Sequence, residues 1–210
     1  TVNDVTVLVF RGDGTKDGGI IKAVPDSGGM VEVLNTTAGT RDFIVVANAP
    51  DGIFDLSMNK SAAESAVMTL LSSQVPDKLV MAGTVTETLE PADDPSDNEI
   101  EVSISRMAAR VALTGIEIDI DRAAYPDAAL KITSVCMNNV NIKYNVKGDA
   151  AELKNFSEDA GWGVDFSPAI EDDVIFTDNT PYFYVGANVV ATANDNPAYW
   201  TANGTEMVLH

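Results

Sequence analysis

The stretch Ile104-Ser105-Arg106-Met107-Ala108-Ala109-Arg110-Val111-Ala112-Leu113-Thr114-Gly115-Ile116 decides how this chain is organised. Apolar residues fall at Val102 and Ile104, then at Met107, Ala109, Val111 and Leu113, then at Ile116, Ile118 and Ile120. Within each group the period is two, that of a strand with one buried face, but between groups the alternation slips. Each slip carries the apolar face to the other side unless a bulge or bend re-aims it. The run therefore predicts a passage from one β-sheet, or one domain, to the next, with the boundary near Arg106.

Outward from that run, short alternating segments separated by turn-rich clusters predict an all-β sandwich architecture. In the first half, strands are expected over Thr6–Phe10, Ile20–Val24, Val31–Leu34, Asp42–Ala47, Leu79–Met81, Thr84–Leu89 and Ile100–Ile104. In the second half they are expected over Ala109–Ile120, Leu130–Met137, Asn141–Val146, Val174–Phe176 and Tyr182–Val190. One helix, Ser61–Leu71, follows from the capping-box spacing of Ser61 and Glu64 and from Ala63, Val67, Leu70 and Leu71 at helical intervals before Pro76. Its apolar stripe suits a lid on an open sheet end. The segment 90–99 has two prolines and no large apolar residue, so it reads as an exposed loop. A chain of 210 residues exceeds the usual size of one domain, which favours two, 1–105 and 106–210.

Composition narrows the chemistry. With 32 acidic against 13 basic residues, the net charge of -19 repels phosphate backbones and argues against a nucleic-acid partner. Cys136 is the single cysteine, and its alternating setting reads as a buried structural thiol. The single histidine, His210, stands at the last position, so no nucleophile and base are paired, and no Gly-rich phosphate loop opens a helix. No enzymatic activity, cofactor or metal site is expected. The segment Asp13-Gly14-Thr15-Lys16-Asp17-Gly18 imitates a Ca²⁺ loop but has Val24 where a bidentate Glu belongs, so it reads as a hairpin turn. The same tip carries the tripeptide Arg11-Gly12-Asp13. Glu117, Asp119 and Asp121 alternate with isoleucines and read as a solvated outer face. Tyr182, Phe183, Tyr184, Trp162, Tyr199 and Trp200 offer sugar-stacking surfaces, though in a small sandwich such residues are more often core.

The Arg106-x-x-Ala-Arg-Val111 core resembles the run that follows the first domain of the fimbrillins, the type V pilus subunits of Bacteroidales. The Val5–Phe10, Ala38–Asn48 and Leu79–Gly83 segments are similar to that family in the same order, and Pro181–Asn188 resembles its Phe-Tyr strand, with Ala187 in place of Glu. The resemblance implies two tandem transthyretin-like Greek-key sandwiches in a structural subunit of a surface fimbria. It also implies a precursor exported as a lipoprotein to the outer membrane and trimmed at its N-terminus. Polymerisation then proceeds by strand complementation with other fimbrial subunits, through an apolar groove expected to involve Val5, Val7, Val9, Ile44, Val46, Val80 and Val102. Two C-terminal motifs of the family are missing, so the second domain is expected to be incomplete. The alternative is a fimbrial tip adhesin or glycan-binding module whose partners are host or bacterial surface receptors.

Overall fold

The computed structural model describes residues 1–33, 35–69, 76–92, 98–138, 140–148, 150–154, 163–178, 180–186 and 206–209. Strands β1 (Val5–Arg11), β2 (Lys16–Ala23), β3 (Gly39–Ala47), β5 (Met81–Leu89) and β6 (Ser105–Arg106) form an antiparallel sheet in the order β2-β1-β3-β5-β6. Between β3 and β5 lie the helix α1 (Lys60–Ser65) and the two-residue strand β4 (Met68–Thr69). Residues Val5 to Phe10 are all buried, which explains why β1 reads as a nearly unbroken apolar run. A strand covered on both faces has no solvent side to mark with polar residues.

The second half builds further sheets from β7 (Ala108–Ala112), β8 (Gly115–Ile116), β9 (Ile132–Asn138), β10 (Val140–Tyr144), β11 (Ala150–Lys154), β12 (Gly163–Ile170), β13 (Val174–Ile175), β14 (Tyr182–Gly186) and β15 (Glu206–Leu209). One sheet has the order β11-β10-β14-β7, another β12-β9-β15, and β8 pairs with β13. Both predicted register slips coincide with a change of sheet. β6 closes the first sheet, Met107 donates its N–H to the Val80 carbonyl at 3.0 Å, and β7 opens against β14. After Leu113 and Thr114 the chain moves again, to pair Ile116 with Val174. The single strand expected over Ala109–Ile120 is thus two, β7 and β8. Beyond β8, Ile118 and Ile120 stay half-buried while Glu117, Asp119 and Asp121 are exposed, as their alternation predicts.

The helix differs from expectation. Asn59, not Ser61, is its N-cap, with Oδ1 accepting the Ala62 N–H at 2.8 Å, and α1 ends at Ser65. Only Ala63 is buried on it, and Val67 is exposed. Met68 and Thr69, expected to continue the helix, pair instead with Tyr144 and Lys143 of β10, while Leu70 and Leu71 lie outside the described residues. β4 thereby plants a piece of the first half in the second half's sheet. One apolar cluster follows from this, running from Leu8, Phe10, Ile44 and Val46 through Ala63 and Met68 to Val140, Tyr144 and Phe183. Cys136 is buried in β9, and that burial raises its thiol pKa. Phe183 and Tyr184 are core. Tyr182 is partly exposed beneath the Arg110 guanidinium, 4.5 Å from its ring centre. Trp162, Tyr199 and Trp200 lie outside the described residues.

Candidate subunit-interaction surface

The strand period divides the first sheet's apolar residues between two faces. The in-register pairs Leu8↔Ile44 and Thr6↔Val46 put the even-numbered positions on the face that enters the shared core. The odd-numbered pairs Val5↔Ala47, Val7↔Val45 and Val9↔Phe43 make the opposite face, which Val85 and Leu89 extend on β5.

Two extended segments cover that opposite face. In the first, Val31 and Val33 are half-buried and Glu32 is exposed; in the second, Ile100, Val102 and Ile104 are half-buried while Glu99, Glu101 and Ser103 are exposed. All five apolar residues pack on the Val5/Val7/Val9 cluster. This is the alternation expected for strands of a facing sheet, and these are the segments the sequence marks as strands. Yet among the described residues neither is joined to any strand by a ladder. Backbone amides and carbonyls in that state are ready donors and acceptors, respectively, for another strand.

Both segments are anchored at their ends. Before Val31, the Asp26 carboxylate accepts the Gly28 and Met30 N–H groups at 2.8 and 2.9 Å, and Met30 O accepts the Asp26 N–H at 3.0 Å. After Val33, Thr37 donates its N–H and its hydroxyl to Asp17, each at 2.8 Å. Asp17, whose side chain is fully buried, also receives Arg41 Nε at 2.7 Å and Arg11 Nη2 at 2.5 Å. Burial by itself would raise the Asp17 carboxyl, but the Thr37 amide, Arg41 and the Thr37 hydroxyl overcome it and bring its pKa down to about 2. In the second segment, Asn98 is tied to the backbone of Glu90 by two hydrogen bonds of 2.9 Å, and Ser105–Arg106 pair with β5. Between these anchors the chain crosses Gly83 closely enough to exclude a side chain there.

The structure does not bring all seven expected groove residues together. Val5, Val7, Val9 and Val102 share the face under the covering segments, whereas Ile44, Val46 and Val80 belong to the shared core behind the sheet. Residue parity separates them, because Ile44 and Val46 pair with even-numbered residues of β1. Neither edge of β1 is open, since β2 and β3 occupy both. Among the described residues, the covering segments have backbone that joins no ladder. The hairpin tip is a turn in which Asp13 accepts from the Thr15 amide and hydroxyl at 2.9 and 2.6 Å, while Arg11 is held by Asp17. Among the described residues, no three His, Cys, Asp or Glu side chains cluster in a way suited to a metal ion.

Comparison with known proteins agrees with this architecture. Residues 1–113 match the model of the family described as "Major fimbrial subunit protein (FimA)". The chain belongs to that family of fimbrial subunits. Among solved structures, it is similar to a fimbrilin of Porphyromonas gingivalis, with 14% identity and a TM-score of 0.56 over 100% of this chain and 74% of that one. It is similar to the tip fimbrial protein Mfa3 of the same organism, with 18% identity and a TM-score of 0.58 over 99% of this chain and 72% of that one. A candidate cell-adhesion protein of Parabacteroides distasonis shares 20% identity and a TM-score of 0.65 over 99% of this chain and 65% of its own length. At these identities the likeness is one of fold. No curated protein matches the sequence.

Proposed function

We propose that this chain is a structural subunit of a cell-surface fimbria that polymerises by strand complementation, and that the layer of covering segments over its first sheet is the strand-accepting surface. The observation that carries the reading is the pair of anchored, alternating segments around Val31–Val33 and Ile100–Ile104, which pack like strands and have no ladder partner among the described residues. A strand from a neighbouring subunit supplies that ladder and packs apolar side chains against the half-buried Val31, Val33, Ile100, Val102 and Ile104. Burying each such side chain contributes about 1.5–3 kcal/mol before the cost of ordering the strand. Residues 1–105 then form the accepting domain and 106–210 the second domain. Removal of an N-terminal segment from an outer-membrane lipoprotein precursor makes the surface available, as family membership suggests. A peptide matching the donor strand of the cognate fimbria is expected to raise the melting temperature by binding the native state. No stabilisation by any cognate strand contradicts the reading and favours a tip adhesin.

A further inference from the structure

We propose that the strand seated on this surface alternates apolar residues with Lys or Arg, and that the two acidic covering segments select it by charge. The inference rests on the strand-accepting reading above and names the chemistry of its partner.

The exposed positions of the covering segments carry Glu32 on one and Glu99 and Glu101 on the other, interleaved with the residues that face the sheet. No cation of either stretch offsets them, because the sequence has no Lys or Arg between Lys22 and Arg41, nor between Lys78 and Arg106. On the same sheet Arg11 and Arg41 are held by Asp17 and Lys22 by Asp51, while Lys16 and Arg106 stand outside the two stretches. A strand pairing with either segment turns its own alternate side chains outward, about 5 Å from those glutamates. At that range opposite charges stabilise the pairing and like charges oppose it. With a net charge of -19, the subunit also repels an acidic strand at longer range. An acidic subunit thus avoids indiscriminate strand capture, because the apolar face alone does not decide the partner.

The test uses two peptides of about seven residues, a typical strand length, with valine at the same alternate positions and either Lys or Glu between them. Binding to the whole chain is measured by calorimetry at low and high salt, beside a variant carrying Glu32→Lys, Glu99→Lys and Glu101→Lys. The Lys peptide is expected to bind roughly tenfold more tightly than the Glu peptide, a preference that shrinks with salt and reverses in the variant. A Lys peptide with serine replacing every valine is expected to lose binding; equal binding by it would mean non-specific attraction and overturn the proposal. Equal affinity for the Lys and Glu peptides overturns charge selection but leaves the strand-accepting surface standing. Binding of neither peptide overturns both.

Discussion

A Cβ atom on Gly83 would lie 2.1 Å from the carbonyl oxygen of Ser103, so the second covering segment crosses β5 in backbone contact. No side chain fits between them. The Gly83→Ala variant must lift the 99–104 segment off the Val7/Val45 row. We expect it to lower stability by about 2 kcal/mol, as overpacking does, and to raise the exposure of Val102 and Ile104. Chemical denaturation and the fluorescence of a hydrophobic dye are the measurements. Unchanged stability would show that the segment is not seated as described.

Asp17 is the anchor for the other segment. In Asp17→Asn one of the two accepting oxygens becomes an NH2 donor facing Arg11, Arg41 and Thr37, and the lost charge leaves the buried Arg41 uncompensated. A loss of about 3 kcal/mol is expected. The folded pKa of about 2 lies below the ordinary value of 3.8. The stabilisation Asp17 supplies is therefore complete above that ordinary value and disappears as pH falls through about 2. Wild type and Asp17→Asn should differ in melting temperature at neutral pH and converge in strong acid.

Asn59→Ala removes the N-cap of α1 and should cost about 1 kcal/mol. Ser61→Ala should be close to neutral, which reverses the order that the capping-box spacing suggests. Thermal melts of the two single variants decide between the caps.

Sequence and structure part company at identifiable points. The register slips around Met107 and Thr114 were legible because side-chain parity is a local property, readable without knowing the neighbouring strand. The same parity revealed the strand-like covering segments. It could not reveal that they have no ladder among the described residues, since backbone pairing depends on which chain lies alongside. The division of the expected groove residues failed for a similar reason: Ile44 and Val46 are as apolar as Val45, and only the register with β1 assigns their face. α1 was placed correctly but overextended, because Val67, Leu70 and Leu71 continue a helical spacing. The tertiary pairing of Met68 with Tyr144 ends it first.

That pairing also couples the halves. Met68 is fully buried in the cluster that both halves share, so Met68→Ala should cost about 3 kcal/mol. The wild type is expected to unfold in one calorimetric transition, and the variant in a broader or divided one. Two separate transitions in the wild type would contradict a continuous core.

The strand-accepting reading is tested most directly by hydrogen exchange of the backbone amides in Val31–Val33 and Ile100–Ile104, compared between the monomeric subunit and the assembled fimbria. The account predicts rapid exchange at these amides in the monomer, beside slow exchange in β1 and β3, and strong protection of the same amides on assembly. Protection already complete in the monomer, or no change on assembly, would contradict it.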